Sequence, residues 1–270
     1  MPSENIETTE VGSGPGDRRT RKREARRTHL LDLAADLVEQ VGVEGVTMAA
    51  LAEVADYAPA SLYTYFASRS ALMAALQERA LVVLRQVANE QVAACDAALD
   101  ALAAPQAPTA RVAALARLWS FADLFLAAPD RHPREFRLQQ QLLVTPGIEA
   151  VADAASVLPT ALGVLEVPRR LLADAAALGA LEPRSDAVDP IDQPVDGAFL
   201  RTIAWVVALN GALLADGLTT GLPTTGASLG GEITAALLRG WGADPDELAA
   251  ARALPLPLPV PLPVPAPRTA

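Results

Sequence analysis

Residues 47–72, TMAALAEVADYAPASLYTYFASRSAL, hold the pattern that decides the fold. Met48 to Ala55 reads as a short helix, with Thr47 before it as an N-cap whose hydroxyl accepts a free backbone N–H. The helix breaks at Asp56-Tyr57-Ala58. Pro59 follows, a residue that a helix tolerates best in its first turn. A second short helix is predicted from Pro59 to Phe66, and Ser68 then caps a long third one. Two helices at a sharp turn, the second short and rich in exposed polar and aromatic side chains, is the layout of a helix-turn-helix.

Working outward, the chain keeps a helical character. Its 270 residues are long enough for one large or two modest domains. Leu and Ala dominate while aromatic residues make up only 4%, so an all-α fold is expected. Upstream, Leu30, Leu33, Ala34, Leu37, Val38 and Val41 follow the spacing of one buried helix face, and Gly42 is the expected C-cap. Downstream, the helix opened by Ser68 continues to about Leu102, where the proline-containing run at 103–108 ends it. Further helices are expected over about Thr109–Leu126, Pro129–Leu143, Ile148–Val157 and Pro168–Leu178. Leu181 to Val195 is rich in proline and acid and reads as a loop.

Two later segments, Gly197 to Gly217 and Ser228 to Gly240, are apolar around much of their circumference. They need cover from the core or from a second subunit. Asp244-Pro245-Asp246-Glu247 is a helix start with a capping Asp, Pro at the first position and Glu at the third. From Pro255 to Pro267 every second residue is proline, which points to an exposed polyproline-type tail. The expected organisation is therefore a disordered N-terminus (1–17), a helix-turn-helix domain with its basic arm (18–80), a helical ligand-binding and dimerisation domain (81–253) and a proline-rich tail (254–270).

Charge is unevenly placed. The net charge of −10 argues against a protein that coats nucleic acid all over. Yet Arg18, Arg19, Arg21, Lys22, Arg23, Arg26 and Arg27 bring seven basic residues into ten positions directly before the first helix. Cys95 is the one cysteine, which excludes an intrachain disulfide and a cysteine-rich metal site. No uncharged run of eighteen apolar residues occurs; the nearest, Thr202 to Leu214, fits a buried helix better. The N-terminus lacks the apolar stretch of a secretory signal, so a soluble, cytoplasmic protein is expected.

Catalytic patterns are missing: there is no Gly-x-Ser-x-Gly, no His-Glu-x-x-His and no phosphate loop, and the chain has two histidines in all. His29 reads as a surface or packing residue and His132 as part of a proline-flanked turn. No enzyme activity, cofactor or metal is expected.

The run Ser61-Leu62-Tyr63-Thr64-Tyr65-Phe66-Ala67-Ser68-Arg69-Ser70-Ala71-Leu72 resembles the N-terminal domain of TetR-family transcriptional regulators. The same resemblance extends to Val46-Thr47-Met48, Leu51-Ala52, Gly42 and Gly45, and covers roughly residues 20–80. It implies an N-terminal three-helix DNA-binding domain joined by a long helix to a helical ligand-binding and dimerisation domain. It further implies a homodimeric repressor released from a double-stranded operator by a small apolar effector.

By the same resemblance, Thr47 would hold a phosphate, and Pro59, Ala60, Ser61 and Thr64 would face the groove. Tyr63 and Tyr65 would reach the backbone, and Arg69 would pair with a phosphate. The arm, through Arg21, Lys22, Arg23 and Arg26, would track the backbone nearby. Two positions depart from the family pattern: Asp56 stands where the turn usually has Gly, and Ala58 where a capping Ser or Thr is usual. These departures shift the expected DNA affinity onto Tyr63, Thr64, Tyr65, Arg69 and the arm.

Trp119, Phe121, Phe125, Phe136 and Trp205 are candidate walls of an effector pocket, each open equally to an ordinary core role. Gly197–Gly217 with Ser228–Gly240 is the candidate dimer interface. The competing reading is a helical small-molecule-binding protein or enzyme that has lost DNA binding.

Overall fold

A computed structural model describes residues 15–103, 105–144, 148, 150–183, 197–215 and 224–257. Every regular element among them is helical: α1 (Pro15–Gly45), α2 (Met48–Ala55), α3 (Pro59–Leu62), α4 (Arg69–Asp100), α5 (Ala110–Arg131), α6 (Pro133–Val144), α7 (Val151–Ala177), α8 (Gly197–Leu214), α9 (Gly226–Gly240) and α10 (Pro245–Arg252).

The helix boundaries follow from local chemistry. Thr47 and Ser68 each accept a backbone N–H, from Ala50 and Ala71, at 3.0 Å. Thr109 does the same for Val112 and Asp244 for Asp246 and Glu247. Each such cap is worth about 1 kcal/mol to its helix. Gly42 takes φ 74° and bends the end of α1, a conformation open to a residue without Cβ. Asp56 closes α2 at φ 56°, ψ 45°, the left-handed region that Asp enters more readily than most side chains.

Helices α1 to α3 and the start of α4 enclose one small core. Leu30, Ala34, Val46, Leu51, Leu62, Phe66, Leu72 and Leu76 are buried there. A fully buried Leu or Phe gains roughly 1.5–3 kcal/mol from leaving water, so this set suffices to fix the elbow between α2 and α3.

The second core gathers around α5, which is flanked by α4, α7, α9 and α10. Its largest interior side chains are Leu115, Leu118, Leu172, Leu181, Trp205 and Leu209. Gly230 on α9 lies so close to α5 that a Cβ there would overlap the Leu126 side chain. Two polar pairs lie in the interior: Gln91 Nε2 donates to Ser120 Oγ at 2.9 Å, and Trp205 Nε1 donates to Thr234 Oγ1 at 3.0 Å.

Four expectations need correction. The reading helix is shorter than Pro59–Phe66: α3 stops at Leu62 and unwinds through a turn in which Tyr65 and Phe66 both bond the Leu62 carbonyl. The Thr64 hydroxyl donates to the Ser61 carbonyl at 2.7 Å, local competition that disfavours further α-helix. Next, α5 runs straight through Pro129 and ends at Arg131. His132, at φ −135°, makes the break because Pro133 after it disfavours the helical region.

The two helices expected over 148–157 and 168–178 are one, α7, with Pro159 and Pro168 inside it. Packing along α4 carries the helix across both prolines, Gly163 passing close to the Arg85 guanidinium. Lastly, the tail begins in contact rather than free. Leu254 and Leu256 pack on the second core, and Gln91 Nε2 donates to the Pro257 carbonyl at 3.1 Å. Residues 258–270, like most of 1–17 and of the 181–195 loop, lie outside the described residues.

Helices α5, α7 and α8 reach the length and hydropathy of a membrane-crossing segment. They differ in cover: 67% of the apolar window is buried in α5, against 17% in α7 and 33% in α8. The chain alone therefore leaves apolar surface open on α7 and α8.

Candidate functional site

Two regions carry recognisable chemistry. The first is the exposed side of the elbow. Pro59, Ala60, Ser61, Tyr63 and Thr64 are exposed, whereas Leu62 and Phe66 point inward and hold the short helix down. Tyr63 is 53% exposed, the ring of a large side chain standing in solvent. Tyr65 is half-buried against the first core. Thr47 is exposed at the start of α2 while its hydroxyl caps that helix.

The basic run forms the first turns of α1, and Arg21, Lys22, Arg23 and Arg26 are exposed along it. Arg23 Nη2 donates to the Thr64 carbonyl at 3.0 Å, and the Arg27 guanidinium sits 5.3 Å from the centre of the Phe66 ring. The arm is thus fastened to the far end of the reading turn, so its charges travel with α3. That bond is invisible in the sequence, because the two partners lie 41 positions apart.

Arg69 is placed differently from the expectation. Its Nε donates to the Val46 carbonyl at 2.7 Å and its Nη2 to the Val43 carbonyl at 2.6 Å. These carbonyls lie where α1 ends and the chain enters α2, so the guanidinium braces the elbow from inside.

The second region is a cavity of about 550 Å³ between α4, α5, α6, α7 and α8. Phe121, Phe125 and Phe136 line it. Phe125 and Phe136 meet edge to face at 5.9 Å, a favoured aromatic geometry.

Trp205 does not line the cavity. It is fully buried behind Phe121, ring centres 5.3 Å apart, and its N–H is spent on Thr234. Trp119 lies elsewhere too, on a separate cleft beside α9 and α10, where the Arg252 guanidinium covers its ring at 4.6 Å. Both tryptophans drop out of the proposed wall.

The cavity has polar members that the sequence reading missed: His132, Gln139, Gln140 and Asn210. His132, Phe136, Gln139 and Gln140 are spaced i, i+4, i+7 and i+8, which sets them on one side of α6. That spacing was readable, but reading His132 as part of a proline-flanked turn set it apart from the other three. Burial pushes the His132 imidazole below its ordinary value, against the opposing pull of Glu135 and Glu90. Among the described residues no group of three or more His, Cys, Asp or Glu side chains is placed to hold a metal ion.

A short helix presented on an exposed elbow, with a basic helix fastened beside it, is the layout of a helix-turn-helix domain. Residues 30–76 match the family model for bacterial regulatory proteins of the tetR family. The match spans 47 of the 270 residues, and it is over these that the chain is similar to that family.

Solved structures share the whole architecture. A protein of unknown function from Rhodococcus sp. RHA1 is 19% identical at a TM-score of 0.52, over 80% of this chain and 94% of that one. RolR, solved in complex with resorcinol, is 21% identical at 0.51, over 88% and 98%. A TetR-family transcriptional regulator from Agrobacterium tumefaciens is 17% identical at 0.51, over 82% and 100%. At such identities the likeness is one of fold. No curated protein matches the chain by sequence.

Proposed function

We propose that this protein is a homodimeric repressor that a small, largely apolar molecule releases from its operator. The observation that carries the reading is the position of α6. One side of it faces the cavity through Phe136, Gln139 and Gln140. Its other side belongs to the DNA-binding domain: Leu138 is buried in the first core, and Arg134 reaches Asp36 and the Asp32 carbonyl of α1, both at 2.9 Å. Whatever fills the cavity presses on a helix that the reading domain also holds.

Release is then a population shift. A ligand that fits the cavity better in one setting of α6 favours that setting, and moves α1 and α4 with it. In a dimer the two α3 elements must match half-sites roughly one helical turn, or about 34–36 Å, apart, so a small rotation of each domain suffices to lose the match. The dimer itself is favoured by the uncovered apolar side of α8 and α9, where Ala204, Val207, Ile233 and Ala236 stand partly or fully exposed. Buried against a second copy, that surface has the cover it lacks in one chain.

On DNA, Pro59, Ala60, Ser61 and Thr64 face the major groove, where a hydroxyl bonds base edges and the Ala60 methyl meets a thymine methyl. Thr47, Tyr63 and Tyr65 hold the sugar-phosphate backbone, and Arg21, Lys22, Arg23 and Arg26 add phosphate contacts. Such contacts orient the protein without reading sequence.

The experiment is a gel-shift titration against DNA flanking the protein's own gene, with selection from random duplexes in parallel, at low and moderate salt. The expected result is a retarded band whose affinity falls by roughly 0.9 log unit per phosphate contact per decade of salt. No band with any fragment and no selected sequence would overturn the reading.

A further inference from the structure

We propose that the effector is an uncharged, carbon-rich molecule bearing a hydroxyl group, bound with that hydroxyl between His132 and Gln139. The proposal rests on the reading of the cavity as the effector site and goes further by naming the ligand's chemistry.

The first argument is charge. Among the described residues no Asp, Glu, Lys or Arg lines the cavity. An ion moved from water into such a place loses its hydration and meets no counter-charge, a loss that contact with aromatic and aliphatic walls does not recover. His132 does not supply a charge either, since burial favours its neutral form. Carboxylates, phosphates and ammonium ions are all excluded on this ground.

The second argument is the state of the four polar groups. Gln140 Nε2 donates to Asn210 Oδ1, and Asn210 Nδ2 donates to the Val206 carbonyl at 2.9 Å. That pair joins α6 to α8 and is occupied. The other two are open: His132 Nε2 and Gln139 Oε1 are buried with no hydrogen-bond partner, and His132 is only 3% exposed. Unsatisfied buried polar atoms are uncommon and need a reason.

The third argument is complementarity. Gln139 Oε1 accepts, and a neutral imidazole carries a proton on one nitrogen and a lone pair on the other. With the proton on Nε2, one ligand hydroxyl receives a bond from His132 and gives one to Gln139, closing both vacancies at once. A ketone or ether oxygen accepts only and leaves Gln139 Oε1 bare. A plain hydrocarbon leaves both bare. The remaining wall fits rings: Phe121, Phe125 and Phe136 present aromatic faces and edges. At interior packing density, about 550 Å³ of space takes a molecule of about twenty non-hydrogen atoms.

The test uses a matched set of probes on the full-length protein: 4-phenylphenol, biphenyl and biphenyl-4-carboxylate, with binding followed by calorimetry. The expected result is that 4-phenylphenol binds at least about tenfold tighter than biphenyl, the difference that one satisfied polar pair supplies. The carboxylate binds weakest of the three. In His132→Phe and in Gln139→Leu the ratio of phenol to hydrocarbon affinity falls to about threefold or less. Gln139 is half-buried, so its variant keeps the test available should the buried His132 variant not fold, which a thermal melt reports.

Equal or tighter binding of the carboxylate overturns the proposal. So does a hydroxyl advantage that survives in both variants. If none of the three probes binds, the effector-cavity reading itself fails, an outcome distinct from binding with the wrong preference.

Discussion

The guanidinium of Arg69 closes the corner between α1 and α2 by donating to the carbonyls of Val43 and Val46. These two bonds make Arg69 a positioning residue for the elbow. Arg69→Ala is expected to cost about 1–3 kcal/mol of stability, the range for bonds between a charged donor and backbone acceptors. Arg69→Lys, which has a point charge in place of a planar fork, recovers part of it. Thermal melts measure the loss, and the salt slope of DNA binding should stay unchanged, since no phosphate contact is removed. A slope reduced by nearly one unit with an unaltered melt would restore the phosphate role.

His132 gives a second prediction at this scale. Its folded pKa lies below the ordinary histidine value, so below about pH 6.5 the unfolded chain binds a proton that the folded chain refuses. The stability this represents is complete above about pH 6.5 and declines as pH falls toward the lower folded value. Glu135, Glu90 and Arg131 are the charged groups acting on it, and the other histidine, His29, is exposed. Urea midpoints at pH 5.5, 6.5 and 7.5 should show a drop confined to the acid side, and His132→Phe should flatten it. An undiminished drop in the variant would assign the effect elsewhere.

Among the elements, α6 has the most to connect. Arg134→Ala removes its ion pair with Asp36 and its bond to the Asp32 carbonyl while leaving the cavity wall in place. The expected outcome is a weaker link between the two sites. The ratio of operator affinities measured without and with 4-phenylphenol should shrink by about 0.5–2 kcal/mol, while the affinity of the phenol for protein free of DNA stays as it was. A ratio equal to that of the unaltered protein would remove α6 from the route.

Much of this level was legible in the chain. The caps at Thr47, Ser68, Thr109 and Asp244 each act through a neighbour two or three residues on, so a local pattern reveals them. The prolines misled for the opposite reason. Pro129, Pro159 and Pro168 are poor helix residues locally, and tertiary packing against α4 and α5 keeps their helices whole. Exposed reading residues were visible as a motif, but partners such as Arg23 with Thr64, or Arg69 with Val43, join segments that only the folded elbow brings together.

At the scale of the whole molecule, the proposed dimer rests on the uncovered side of α8 and α9. Ile233 lies on that side of α9 and does not line the cavity. Ile233→Asp places a charge where a second copy would cover it, and an unpaired buried charge is prohibitive. Light scattering is expected to report about twice 28.1 kDa for the natural sequence and 28.1 kDa for the variant. Operator affinity should collapse with the dimer, because each half then binds alone. A variant that stays dimeric would move the interface away from α9.

The effector cavity also has a volumetric meaning. Space of about 550 Å³ inside the second core is volume that water reclaims when the chain unfolds, so the system shrinks as the fold opens. None of the described cavities is lined by Leu51, Leu62 or Leu72 of the DNA-binding domain's core. Hydrostatic pressure should therefore open the second domain first and leave the reading elbow folded. A bound effector would cancel this softness by filling the space, so under the proposed mechanism the protein is most compressible in the same state in which it holds its operator.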